Sequence, residues 1–200
     1  MLVNFLFGFL GVILFLFVFW KRLKDDYSSD IIFQVATSIL VGLAVGYTAS
    51  KIFFPEWNFW MSFLGYLFGM IVMVAKFKLR TYGTIEAAIM AGIPFISLMF
   101  FKDSITNYSL NSFLAFVGTL VLIFLIFWVD LNYKSFTWYK SGKIGFAGLF
   151  TSILFFAART VIAIIGITMV SFVSKFEAII SGMTALACIG LLVNLSRRRE

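Results

Sequence analysis

The chain has 200 residues, of which 62% are hydrophobic and only 12% are charged. Soluble domains are about half apolar and about a quarter charged, so most of this chain has lipid as its solvent. It contains one Cys and no His, which excludes an internal disulfide framework, a Cys-rich metal site and histidine catalysis. We therefore expect no metal and no cofactor. The net charge of +7 fits membrane orientation by basic loops, and we expect no nucleic-acid partner.

Seven long apolar segments follow one another along the chain. A helix needs about 20 residues to cross the hydrocarbon, whereas a strand of a membrane barrel needs only about 10, so these runs predict helices. We predict an all-α, polytopic membrane protein that forms a single transmembrane domain over residues 1–200. The predicted segments are 2–20, 31–54, 59–75, 84–101, 111–129, 144–170 and 177–195.

The basic residues are concentrated in every second connection. Lys and Arg collect on the cytoplasmic side of multi-pass proteins, so this alternation predicts an N-terminus outside and a cytoplasmic C-terminus. We expect the first segment to remain as a helix, because its basic cluster follows the apolar run instead of preceding it. The other connections hold only Lys102 and Lys175. The twelve cations on the predicted cytoplasmic side are Lys21, Arg22, Lys24, Lys76, Lys78, Arg80, Lys134, Lys140, Lys143, Arg197, Arg198 and Arg199.

Arg159 is the charged residue deepest within a predicted segment. An Arg at the centre of a bilayer disfavours insertion by ~2.5–3.5 kcal/mol on translocon scales, so it needs a partner. The sixth segment contains no acidic residue, which leaves backbone carbonyls, polar groups of other helices or a lipid phosphate. A planar guanidinium contacts phosphate through two donors. We therefore predict an anion-binding role, with a structural anchor as the alternative.

Three other reactive side chains lie in the segments. Lys51 can reach the headgroups from the outer end of the second segment, or line a positive, outward-opening pocket with Arg159. Glu86 falls in the first turn of the fourth segment, where a helix N-terminus favours a carboxylate; the alternative is an ion-coupling group. Cys188 has no base nearby in sequence and is expected to be inert. With no His and no phosphate-binding glycine loop, no catalytic residue is identified.

Four short runs stand out in these segments: WNFWMSFLGYLFG (57–69), IPFISLMFFKDSITN (93–107), the sixth segment around Arg159, and GYTASKIFF (46–54). These runs and the order of the segments resemble the prolipoprotein diacylglyceryl transferase family. These bacterial membrane enzymes move a diacylglyceryl group from phosphatidylglycerol to the lipobox cysteine of prolipoproteins. The run WNFWMSFLGYLFG (57–69) resembles the family's third-helix entry Met/Leu-Ser-Phe-His-Gly-Gly, with Leu64 at the His position. The run IPFISLMFFKDSITN (93–107) begins like the approach to the family's Gly-Arg-x-Gly-Asn-Phe-x-Asn-Gly-Glu signature, and Asn107 is its matching polar residue.

Two further runs carry the resemblance. The sixth segment is similar to the family's Tyr-Gly-x-x-Arg-Phe-x-x-Glu-x-x-Arg, with Arg159 at the first Arg, Ala163 at the Glu and Gly166 at the second Arg. In GYTASKIFF (46–54), Thr48 takes the place of a family Arg and Lys51 supplies a nearby charge. The resemblance implies a lipid-phosphate site made of Arg159, Lys51, Asn107 and Thr48. It also implies phosphatidylglycerol-type lipid and prolipoprotein signal peptides as partners, in the bacterial cytoplasmic membrane.

Three functions remain open from the sequence. The first is a transferase-like protein that binds a phosphatidylglycerol-type anionic lipid and transfers its diacylglyceryl group to a lipoprotein cysteine. The family's His, Arg/Asn signature and Glu are missing here, so whether the chain is an enzyme stays open. The second is a non-enzymatic lipid- or lipoprotein-binding membrane subunit. The third is a small transporter, which the few intramembrane charges and the lack of a Gly/Pro-interrupted helix disfavour.

Overall fold

The computed structural model describes residues 2–135, 144–165 and 175–197. Within these ranges the chain forms seven α-helices long and apolar enough to cross a membrane, and no strand. The predicted all-α class is therefore confirmed for the described residues, and the seven long apolar helices are compatible with the predicted multi-pass membrane protein. The helices are α1 (Leu2–Leu23), α2 (Ser29–Phe53), α3 (Asn58–Phe77), α4 (Thr81–Asn107), α5 (Leu110–Asn132), α6 (Phe146–Ile165) and α7 (Lys175–Arg197). Single 3₁₀ turns at Pro55–Trp57 and Tyr133–Ser135 precede α3 and follow α5.

The C-terminal half of α4 extends beyond its predicted segment. The apolar run stops at Phe101, but the helix continues to Asn107. Polar side chains support the extra turns from within, since Thr106 donates to the carbonyl oxygen of Lys102 at 2.9 Å. Apart from the end of α6 at Ile165, which adjoins residues outside the description, the other helix ends lie within three residues of the predicted bounds. Residues 166–170 of the sixth segment, and the predicted cytoplasmic cations at 140, 143, 198 and 199, lie outside the described residues.

Contacts between the helices fix their relative directions. α2 and α3 run antiparallel, because Gly42 lies against Gly65 and Gly46 lies against Met61. α4 and α5 are also antiparallel, because the hydroxyl of Thr119 donates to that of Ser97 at 3.0 Å while contacts near the loop join their adjacent ends. The contact between Arg22 and Glu86 places the C-terminus of α1 beside the N-terminal part of α4, at one end of the bundle. We call it the basic end, since it carries the described cations Lys21, Arg22, Lys24, Lys76, Lys78, Arg80, Lys134 and Arg197.

α4 is the central helix of the bundle. It packs against α1, α5 and α6, and half of its most apolar stretch is buried, compared with 17–28% for α1, α2, α3, α5 and α7. Small residues make this position possible: Ala87, Ala88 and Ala91 are almost completely buried. The outer helices instead expose many large apolar side chains, as expected for helices that face lipid.

α2 and α3 approach each other too closely for any side chain to fit between their backbones. A Cβ atom on Gly42 would lie 2.2 Å from the carbonyl oxygen of Gly65, and one on Gly65 would lie 2.1 Å from that of Gly42. Gly46 and Gly69 make similar contacts one turn away on either side. Glycines spaced four apart on two helices permit such close packing in membranes. The resulting hairpin presents the start of α3 to α6.

Candidate functional site

A buried ion pair joins α6 to α7 toward the end of the bundle opposite the basic end. Glu177 and Ser181 lie four residues apart on α7, so both side chains occupy one face of that helix. Arg159 of α6 donates from Nη2 to Glu177 Oε2 at 2.5 Å and from Nη1 to Ser181 Oγ at 2.6 Å. The two helices are therefore connected by a charge-assisted bond and a second hydrogen bond, both within the membrane-spanning region.

Two aromatic rings from α3 cover the guanidinium. Cζ of Arg159 lies 3.8 Å from the ring centroid of Phe59 and 4.8 Å from that of Trp60. Aromatic faces within about 6 Å attract a cation, most strongly where water is excluded. Trp60 also stacks on Phe156 of α6, with 6.1 Å between the centroids. We call Arg159, Glu177, Ser181, Phe59 and Trp60 the Arg159 cluster.

The Arg159 cluster is closed and electrically balanced. Arg159 is 3% exposed and Glu177 is 7% exposed, so both charged side chains are largely shielded from solvent in this conformation. A single buried charge is strongly destabilising, whereas a hydrogen-bonded pair of opposite charges is tolerated. A ligand that separates Arg159 from Glu177 must therefore supply the carboxylate with a replacement partner.

The predicted phosphate site is not assembled around Arg159. Lys51 and Thr48 are exposed on the last turns of α2. Lys51 Nζ lies 4.8 Å from the ring centroid of Tyr47, and Thr48 donates to the carbonyl oxygen of Ala44 at 2.8 Å. Each of these side chains is thus engaged within its own helix, and the positive pocket expected from Lys51 and Arg159 is not formed by the described residues.

Asn107 makes its hydrogen bond with a residue other than Arg159. It is exposed at the C-terminal end of α4 and donates from Nδ2 to Asp103 Oδ1 at 2.7 Å. The hydroxyl of Ser112, on α5, donates to the other carboxylate oxygen of Asp103. Asn107 therefore belongs to a small polar group that links α4 to α5 at the end of the bundle opposite the basic end.

A second buried charged group lies at the basic end. Oε2 of Glu86 accepts a hydrogen bond from the backbone N–H of Gly145 at 2.9 Å and lies 3.0 Å from Nη2 of Arg22. Arg22 also donates to both carboxylate oxygens of Asp130, at 2.8 and 3.1 Å. Because α4 begins at Thr81, Glu86 is not in its first turn, and that prediction is wrong. The Glu86 carboxylate instead accepts the hydrogen bond of Gly145 at the N-terminus of α6.

A polar pocket of about 370 Å³ adjoins this second group. Arg22 and Asp130 form part of its wall, together with Asp25, Asp26 and Lys134. The lining thus mixes both signs of charge. Over residues 2–135, 144–165 and 175–197, no three Asp, Glu, His or Cys side chains are arranged to hold a metal ion.

Glu177 and Ser181 are absent from the site predicted from the sequence. The signal that could have found them is an acidic residue in the first turn of an apolar segment, followed four residues later by a hydroxyl on the same face. Comparison of the chain with protein-family models, with curated proteins and with solved structures found no match.

Proposed function

We propose that this protein binds a phospholipid headgroup at the Arg159 cluster and does not transfer any part of the lipid. The buried ion pair between Arg159 and Glu177 carries this proposal. Ionisable side chains within a membrane are costly, and their default interpretation is a functional site. A guanidinium contacts phosphate through its planar donors, while a carboxylate and aromatic faces suit an ammonium group.

The surroundings of Arg159 support binding without group transfer. Activating a thiol and stabilising a departing phosphate need a general base and several converging cations. Arg159 is the one cation of the Arg159 cluster. Leu64, at the position of the family's functional His, is 57% exposed on the outer face of α3. We therefore propose a scaffold like that of the prolipoprotein diacylglyceryl transferases that retains lipid recognition alone.

The charge balance of the cluster bears on the class of lipid. Phosphate binding at Arg159 releases the Glu177 carboxylate, which then needs a positive partner or a proton. The ammonium of an ethanolamine headgroup supplies that partner, whereas phosphatidylglycerol brings no positive charge. The family resemblance favours phosphatidylglycerol, and the neutral pair favours the zwitterionic lipid. The phosphodiester on Arg159 is common to both.

We further propose that the N-terminus faces outward and that the protein resides in a bacterial cytoplasmic membrane. The gathering of described Lys and Arg side chains at the basic end supports this orientation, because such residues are retained in the cytoplasm. The Arg159 cluster then lies toward the outer leaflet, and lipids of that leaflet are the ones that can reach it.

Lipid retention tests the proposed binding site. We expect native mass spectrometry of the detergent-purified protein to show one saturable phospholipid after addition of phosphatidylglycerol or phosphatidylethanolamine. The paired change Arg159→Met with Glu177→Met should abolish this adduct, because it removes both charges together and leaves neither one uncompensated. Lys24→Met removes an exposed cation at the basic end and should leave the adduct unchanged. Equal retention by the paired variant and the wild type contradicts the proposal.

An activity measurement tests the second half of the proposal. Purified protein is incubated with radiolabelled phosphatidylglycerol and a lipobox peptide that contains one cysteine. We expect no diacylglyceryl peptide above the level given by the paired Arg159→Met and Glu177→Met variant. Formation of the thioether product by the wild type alone contradicts a purely binding role.

A further inference from the structure

Polar side chains form a strip along the outer face of α2. Asp30, Gln34 and Thr37 are exposed, and their spacing places them on one side of the helix. α2 has 25 residues. At 1.5 Å per residue it is longer than the ~30 Å hydrocarbon layer, so an untilted helix centred in that layer has Gln34 and Thr37 roughly 4 and 8 Å inside it. The strip therefore continues from the headgroup level into lipid.

Gln34 and Thr37 make no side-chain hydrogen bond with the part of the chain that the structure describes. Other threonines in the helices behave differently: Thr48, Thr160 and Thr184 each donate to the carbonyl oxygen four residues earlier, at 2.8 Å. Amides and hydroxyls that face hydrocarbon are unfavourable unless they find a partner. The strip thus has the composition of a contact surface for another protein helix.

The strip forms one side of an open groove of about 660 Å³. Phe33 of α2 and Met73 of α3 contribute apolar surface to this groove. The antiparallel register that places Gly42 against Gly65 brings Asp30 level with the exposed Lys76 at the basic end. Asp30 on α2 and Lys76 on α3 therefore carry opposite charges at the same level of the basic end.

We propose that this face is the interface between two copies of this chain, related by a two-fold axis perpendicular to the membrane. Both copies have the same orientation, so the two α2 helices lie parallel and equivalent residues meet at equal depth. Gln34 suits this symmetry, because its amide both donates and accepts and two copies can satisfy each other. In a two-fold interface every contact occurs twice, so the contact between Asp30 of one copy and Lys76 of the other, which their opposite charges favour, forms on both sides of the axis.

Disulfide cross-linking in native membranes tests the interface. Single cysteines are placed at Gln34→Cys or Thr37→Cys in a Cys188→Ser background. The matched control is Phe127→Cys, since Phe127 is 55% exposed on α5 and lies five residues from the basic end of its helix. We expect a disulfide-linked homodimer at the α2 positions and several-fold less at the control. Equal yields at the three positions, or cross-links only to a different protein, overturn the proposal.

Association measurements give a second readout. Fluorescence energy transfer between labelled copies in liposomes should report self-association. The transfer should decrease when added lipid lowers the protein-to-lipid ratio. The paired change Gln34→Leu with Thr37→Val should weaken self-association about tenfold, because two buried polar contacts are lost in lipid. This variant should be at least as resistant to unfolding as the wild type, since apolar residues suit a lipid-facing position. A monomeric wild type overturns the proposal.

A charge exchange distinguishes the proposed pairing from general adhesion. Asp30→Lys alone should reduce energy transfer, because each interface then carries two pairs of like charges. Adding Lys76→Asp should restore it, since the opposite charges are re-formed with their positions exchanged. Failure of the second change to restore association contradicts the predicted contact between Asp30 and Lys76.

Discussion

The carboxylate of Glu86 on α4 caps the N-terminus of α6 by accepting a hydrogen bond from the backbone N–H of Gly145. The first N–H groups of a helix have no partner within it, and the positive end of the helix dipole also favours a carboxylate there. Gly145 has a φ of +112°, which favours glycine. A Cβ on Gly148 would lie 2.7 Å from Cα of Glu86, so α6 begins directly against α4.

Replacing Glu86 tests the importance of this cap. Glu86→Ala should lower the free energy of unfolding by about 2 kcal/mol, because it leaves the N–H of Gly145 and part of the Arg22 charge without their partner. Asp25→Ala changes an exposed carboxylate of the neighbouring pocket and should have little effect. Unfolding in mixed micelles of increasing SDS content measures both. Equal stability of the two variants contradicts the assigned cap.

The glycine contact between α2 and α3 gives a second prediction. In Gly42→Ala the new methyl group would overlap the carbonyl oxygen of Gly65, so the helices must separate and stability should fall by about 2 kcal/mol. Gly118→Ala is the matched control, because no atom lies within 4 Å of its added Cβ. That change should be neutral or slightly stabilising, since alanine favours helix. The same SDS titration separates the two outcomes.

The helical architecture was predictable because each span has to satisfy its own backbone in lipid. Long apolar runs therefore locate the helices directly, as the agreement for α2 and α3 shows. The apolar run does not mark the end of α4, because the polar residues from Lys102 to Asn107 remain helical. Hydropathy reports on the surrounding solvent, whereas the helix continues as long as its backbone bonds and side-chain contacts support it.

The partner of Arg159 was harder to predict for a different reason. Glu177 lies 18 residues away on the next helix, and only the packing of α6 against α7 brings the two together. Phe59 and Trp60, whose rings contact the guanidinium, lie on α3 and are separated from Arg159 by an even longer stretch of sequence. Burial of the Arg159 charge predicts that it has a partner. Which residue is that partner depends on how the helices pack, and the sequence pattern alone does not reveal this packing.

A double-mutant cycle tests whether Arg159 and Glu177 act as a pair. Arg159→Met or Glu177→Met alone should lower the free energy of unfolding by about 3 kcal/mol, because each leaves one buried charge uncompensated. The double variant should lose much less than the sum of the two, since no charge then remains. Equilibrium unfolding of the wild type, the two single variants and the double variant gives the coupling free energy between Arg159 and Glu177. Additive losses contradict a direct ion pair.

Cysteine labelling in intact cells tests the proposed orientation. In a Cys188→Ser background, Glu56→Cys and Tyr108→Cys lie at the end opposite the basic end, and Asp25→Cys and Lys78→Cys lie at the basic end; all four positions are exposed. If cations are retained in the cytoplasm, a membrane-impermeant maleimide added outside should label only the first two. Permeabilised cells should label all four, which controls for reactivity. Labelling of Lys78→Cys but not Glu56→Cys from outside would show the reverse orientation, and the Arg159 cluster would then face the inner leaflet.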